Sequence, residues 1–246
     1  MRIYCEKDYE AMSRRAAQII AAEITHNPAC LLGLATGSTP VGAYKQLIEW
    51  NKQGDLSFAE IHSVNLDEYY GLSPEHDQSY RYFMNTNLFD HVDIHKENTN
   101  VPSGLAADPA AECARYEQVV AGLGYADLQL LGLGRNGHIG FNEPCGDFPA
   151  ATHMVDLTQS TIEANARFFA SADDVPKQAL TMGVGTIMKA RKILVVASGA
   201  DKADAVWKAF RGPITPEVPA SILQFHPDVT LVGDESALAK LMGDQA

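Results

Sequence analysis

The chain has 246 residues, 46% of them hydrophobic, and a formal net charge of −12: enough to bury a large core, and the wrong sign for nucleic acid or an anionic membrane surface. It opens without a charged segment leading into an apolar one, and no apolar run reaches the roughly 18 residues of a membrane span, so the expectation is one cytoplasmic domain over residues 1–246. Cys5, Cys30, Cys113 and Cys145 are scattered without paired spacing, which suits packing roles in a reducing compartment.

In chain order, Glu6–Ile24 sets Ala16, Ile19, Ile20 and Ile24 at helical spacing and predicts an amphipathic first helix. The short apolar run Cys30–Ala35 predicts a buried strand, with Gly33 a point of close approach. Thr36-Gly37-Ser38-Thr39-Pro40 then leads into a helical pattern over Val41–Trp50, with Thr39 suited to the N-cap and Pro40 to the first helical turn. A second strand is predicted over Ile61–Leu66, ending at Asp67. Helices are predicted over Tyr80–Phe89, Pro109–Leu123, Gln178–Ala190 and Lys202–Phe210, and strands over Leu128–Leu133, Ile193–Ala197 and Val229–Val232. This alternation predicts an α/β fold: a doubly wound, mostly parallel sheet with helices on both faces, a Rossmann-like three-layer sandwich. No internal repeat, low-complexity tract or linker interrupts it.

The segment Gly132–Pro144, Gly-Leu-Gly-Arg-Asn-Gly-His-Ile-Gly-Phe-Asn-Glu-Pro, follows an apolar strand, and its glycines and terminal proline preclude a long helix. It exposes His138, suited to acid–base work, and the carboxylate of Glu143, where α/β proteins place their chemistry. Gly132, Gly134 and Gly137 also fit a dinucleotide fingerprint, with Asp156 at about the spacing of a ribose-binding acid. A dinucleotide fold needs a helix after the third glycine, however, and His138–Pro144 has no helical period.

At Thr36–Pro40 a small-residue turn meets a helix N-terminus, where free N–H groups favour a phosphate; capping by the same hydroxyls explains the residues equally well. Asn65-Leu66-Asp67-Glu68-Tyr69-Tyr70-Gly71 places adjacent carboxylates where a strand runs out. Asp67 is suited either to capping the next turn or to removing a carbon-bound proton.

These segments, together with Asn165–Phe169 and Ala179–Thr186, resemble the glucosamine-6-phosphate deaminases over essentially the whole chain. The Asn-Leu-Asp-Glu-Tyr and Gly-His-Ile-Gly-Phe-Asn-Glu-Pro runs separate that family from the 6-phosphogluconolactonases, which share the phosphate turn and the Gly-His segment. The resemblance implies cofactor-free, metal-free isomerisation of glucosamine 6-phosphate with loss of ammonia. It makes Asp67 the base acting at carbon 2, and His138, supported by Glu143 and Asn136, the ring-opening group. Some members carry Asp at position 136 and others Asn; the neutral amide orients the imidazole but cannot offset its charge. Gly37, Ser38, Thr39, Arg167 and Lys202 match the family's phosphate ligands, with Arg167 offering a planar fork.

His91 and His95 have the i, i+4 spacing of some zinc sites but no third ligand, and His226 reads as structural. Some relatives are hexamers activated by N-acetylglucosamine 6-phosphate through basic residues after the Asn-Glu-Pro run and a late tyrosine. Cys145–Val155 contains no Lys or Arg and the last residues no tyrosine, so hyperbolic kinetics are expected. Gly146–Thr161, small and polar, is placed to serve as a lid. Rival readings are a lactonase, which needs no carbon base, and a sugar-phosphate sensor without catalysis, against which stand the absence of a helix-turn-helix segment and the retained proton-transfer residues. Self-association is left open, because periodicity shows buried faces without saying what covers them.

Overall fold

The computed structural model describes residues 1–166, 169, 171 and 174–243. The chain begins with strand β1 (Arg2–Glu6), so the first helix, α1 (Tyr9–His26), starts after Glu6 rather than at it. The carboxylate of Asp8 sets that start by accepting the Ala11 N–H at 2.8 Å, and the predicted stripe through Ala16, Ile20 and Ile24 is buried. Strand β2 (Leu31–Leu34) is buried throughout, and α2 (Val41–Gln53) follows the small-residue turn. Gly33 leaves room for the side chain of buried Gln129, since a Cβ there would lie 2.1 Å from its Oε1.

Strands β3 (His62–Asn65) and β4 (Asp67–Tyr69) are separated only by Leu66, and α3 (Tyr80–Met84) runs into a π turn over Asn85–Phe89. Then come β5 (Thr99–Asn100), α4 (Pro109–Gly122), β6 (Leu128–Gly132), β7 (His153–Asp156) and α5 (Gln159–Ala166). The chain continues through β8 (Gln178–Thr181), α6 (Val184–Ile187), β9 (Lys192–Ala197), α7 (Ala203–Phe210), β10 (Val229–Asp234) and α8 (Glu235–Gly243).

Seven strands form one parallel sheet in the order β1-β10-β9-β6-β2-β3-β5, covered by helices on both faces. Its central strands are near-continuous apolar runs, as burial on both faces requires. From β2 the chain winds toward β3 and β5; from β6 it winds the opposite way, toward β9 and β10. The adjacent pair β2 and β6 is therefore the topological switch point, and a crevice opens beyond their C-terminal ends.

A second sheet, β4-β8-β7, is antiparallel. Leu66 joins the two sheets: its N–H donates to Leu34 O at 3.3 Å, and its carbonyl accepts from Met182 N at 2.7 Å. Asp67 is thus the first residue of the smaller sheet rather than the tail of β3. The helix predicted over Gln178–Ala190 is instead β8 followed by the short α6. Ala and Leu favour helix locally, but antiparallel pairing on both edges overrides that preference. The Gly146–Thr161 stretch likewise divides, since His153–Asp156 is β7. Asp156 accepts from Gln178 Nε2 at 2.9 Å within this smaller sheet, apart from the parallel sheet that holds β6. Among the described residues no helix is long and apolar enough to cross a membrane.

Candidate active site

A cavity of about 910 Å³ fills the crevice at the switch point. The turn after β2 supplies Gly37, Ser38 and Thr39; the loop after β6 supplies Asn136 and His138; Asp67 comes from the start of β4, and Lys202 from the turn before α7. Glu143 is buried behind this wall. The structure therefore brings together every site residue expected from the sequence except Arg167, which lies outside the described residues.

At the first turn, Pro40 occupies the cap position of α2, and no side chain caps that helix. The hydroxyls of Ser38 and Thr39 are therefore not spent on capping, contrary to the expected N-cap role of Thr39. Tyr9 Oη serves the helix start instead, accepting the Gly42 N–H at 2.9 Å and donating to Ser38 O at 3.0 Å. Across the cavity, Lys202 Nζ donates to Leu133 O at 2.8 Å, and burial lowers its pKa from the ordinary lysine value. Arg135, not singled out from sequence, also lines the cavity and is held by Asp201 at 2.6 Å. Lys202 and Arg135 thus share the lining with the carboxyl groups of Asp67, Glu163 and Asp201.

Asp67 is 6% exposed. Burial first, and the neighbouring Glu68 carboxylate second, push its carboxyl up to about 8. Glu68 does different work: it accepts the N–H groups of Tyr69, Tyr80 and Arg81 at 2.8–2.9 Å, pinning β4 to the start of α3. Burial pushes the Glu68 carboxyl up to about 7 against the pull of these donors. Tyr80, so fixed, stacks on Phe141 with ring centroids 5.8 Å apart and lines the cavity. The sequence marks Tyr80 only as the first residue of an aromatic-rich helix, which does not single it out.

The loop after β6 is shaped for its imidazole. A Cβ at Gly134 would sit 2.4 Å from the His138 ring, so only glycine leaves room for it. Gly140 has φ +59, and a Cβ there would press on Thr181 Oγ1 at 2.9 Å and Asp67 Oδ2 at 3.4 Å, bringing this loop against the Asp67 carboxyl. Thr181, opposite Asp67 in the register of β4 and β8, accepts the Phe141 N–H at 3.0 Å and so ties the loop after β6 to the small sheet.

His138 Nδ1 lies 3.3 Å from Glu143 Oε1, in ion-pair range but without the alignment of a full hydrogen bond. Asn136 Nδ2 donates to Glu143 Oε2 at 2.5 Å, and Thr161 Oγ1 to Glu143 Oε1 at 2.5 Å. Burial alone would raise the Glu143 carboxyl, but the His138 contact and these donors outweigh it and hold the group at about 2, ionised across the working range. An imidazole beside a permanent carboxylate, facing a cavity that also holds a buried carboxyl, can move protons to and from a bound sugar.

The other histidines do different work. His226 accepts the Asp228 N–H at Nδ1 and donates from Nε2 to Ala190 O at 2.8 Å, a structural link. His91 and His95 lie on an irregular segment rather than on one helical face.

The family pattern described as glucosamine-6-phosphate isomerases/6-phosphogluconolactonase matches residues 6–231. A glucosamine-6-phosphate deaminase of Lachnoclostridium phytofermentans is 56% identical over 94% of this chain and 98% of its own length. A solved structure described as a monomeric glucosamine-6-phosphate deaminase is 49% identical, covers 98% of this chain and 100% of its own, and superposes with a TM-score of 0.95. A 6-phosphogluconolactonase from Trypanosoma brucei covers 98% of each chain at a TM-score of 0.75, but at 18% identity that likeness shows the fold alone. On the pattern match and the deaminase relative, the chain belongs to the glucosamine-6-phosphate isomerase/6-phosphogluconolactonase family.

Proposed function

We propose that the chain is a cytoplasmic glucosamine-6-phosphate deaminase, converting glucosamine 6-phosphate and water to fructose 6-phosphate and ammonia with no cofactor. The observation that carries this reading is the buried Asp67 carboxyl on the wall of the cavity that His138 also lines. A lactone hydrolysis needs no base beside carbon 2, and it is this carboxyl that an aldose–ketose isomerisation requires.

The substrate phosphate binds at the Gly37–Thr39 turn, where Ser38 and Thr39 offer hydroxyls and Lys202 a charge, with Arg167 as the fourth contact. His138 takes the proton of the anomeric hydroxyl and returns it to the ring oxygen, breaking the ring bond to leave the open aldehyde. Glu143 stabilises the transient imidazolium, and Asn136 holds Glu143 in place. Asp67 then removes the proton from carbon 2 while the substrate's own ammonium group gives a proton to the aldehyde oxygen, leaving a neutral enolamine. Transfer of the carbon 2 proton to carbon 1 leaves an imine at carbon 2, which water hydrolyses to the ketone and ammonia. Each step after binding is a proton transfer, a hydration or, in the ring opening and the release of ammonia from the hydrated imine, the breaking of a bond whose electron pair leaves with a protonated atom.

The test is incubation of the purified protein with glucosamine 6-phosphate, measuring ammonia and fructose 6-phosphate beside an Asp67→Asn control. Equal amounts of both products that vanish in the control support the reading. Hydrolysis of 6-phosphogluconolactone that survives Asp67→Asn would replace it with the lactonase.

A further inference from the structure

Glu143 is held from two sides, and the contact from α5 has no place in the mechanism above. We infer that Thr161 is a positioning residue for the ring-opening pair: its hydroxyl fixes the direction and charge of the Glu143 oxygen that faces His138. The inference rests on the reading of Glu143 as the imidazole's partner.

A threonine hydroxyl carries one proton. Thr158 Oγ1 donates to Thr161 Oγ1 at 3.0 Å, filling the acceptor side, so the Thr161 proton goes to Glu143 Oε1 at 2.5 Å. Thr161 is 8% exposed and Glu143 is 7% exposed, so neither contact is readily exchanged for one with solvent. The oxygen that receives this proton is the same one that lies 3.3 Å from His138 Nδ1, while the other oxygen belongs to Asn136. The charge facing Glu143 is the His138 imidazole; Asn136 and Thr161 add neutral donors.

The consequence is directional. With both oxygens engaged by neutral donors, the carboxylate cannot turn away from the ring, and it is a poor acceptor for the ring's own proton. The proton that His138 takes from the sugar is kept on the imidazole for return to the ring oxygen. Thr161 also sits in the first turn of α5, where its N–H donates to Thr158 O at 3.0 Å, so correct seating of that helix and readiness of the catalytic pair are one condition.

The experiment compares Thr161→Val, which keeps the shape and removes the proton, with Thr161→Ser, which restores it, using glucosamine 6-phosphate and full pH profiles. The expected result for Thr161→Val is a kcat lowered about ten- to a hundredfold, as for a lost hydrogen bond to a charged group, with KM changed less than about twofold on the same argument. The acid limb, set by Asp67 near pH 8, stays in place while the plateau falls, and Thr161→Ser restores most of the loss. If the valine variant does not fold, Thr158→Val, which removes the orienting donor and an acceptor of the Thr161 N–H at 3.3 Å, gives a smaller loss in the same direction. Wild-type kcat and pH profile in a folded Thr161→Val protein, with Glu143→Gln impaired, overturns the inference alone. Wild-type behaviour in both overturns the reading of Glu143 and this inference with it.

Discussion

Glu143 turns one carboxylate oxygen toward His138 Nδ1, 3.3 Å away, and gives the other to the Asn136 amide at 2.5 Å. The charge that answers the imidazolium comes from Glu143, and Asn136 only aims it. Glu143→Gln should therefore lower kcat by about a hundredfold, in the range of a lost acid–base partner, and Asn136→Ala by roughly tenfold, in the range of one hydrogen bond to a charge. Steady-state kinetics on the two variants decide this; equal losses would refute the division of roles.

Asp67 carries a second consequence of its burial. Its folded-state pKa of about 8 lies above the ordinary 3.8, so the protonated form favours the fold. The stability it contributes is fully present below about pH 4 and is lost as pH rises through about 8. Asp67→Asn should abolish turnover and yet raise the melting temperature, with a gain that grows between those limits. In the wild type, kcat/KM should climb with pH up to about 8, because the base must be ionised. A melting point that falls on substitution at pH 8 would sink the argument.

Lys202 is anchored on Leu133 O and aimed into the cavity. Lys202→Met should raise KM for glucosamine 6-phosphate about ten- to a hundredfold, the worth of a charge-assisted contact, and leave kcat nearly intact. A loss confined to kcat would move Lys202 out of phosphate binding.

No Lys or Arg occurs between Cys145 and Val155, where β7 begins its pairing with β8. Saturation curves should be hyperbolic, and N-acetylglucosamine 6-phosphate should leave them unchanged. A sigmoidal curve relieved by that sugar would contradict this.

The parts of this fold that showed in the sequence were those decided by local chemistry. The buried strands Leu31–Leu34 and Lys192–Ala197 are apolar runs, and the stripe of α1 repeats at helical spacing. The smaller sheet did not show, because β4 and β7 are short and β8 looks helical until its partners are in place. The same rule covers the site. Asp67, Asn136, His138 and Glu143 stand in compact motifs, whereas Thr161 reaches Glu143 across a sequence gap that no pattern of residue types marks. Arg135 was hidden in plain view inside the motif, since only the fold shows that Asp201 turns it toward the cavity rim.

The single residue Leu66, bonded to both sheets, divides the labour of the molecule. The Gly37–Thr39 turn and His138 follow strands of the large sheet, and Asp67 belongs to the small one. A scaffold arranged this way can exchange the group at Asp67 by rebuilding β4 and its partner β8 while the Gly37–Thr39 turn and Lys202 stay in place. For an engineer, β4 and β8 are the place to write a new reaction.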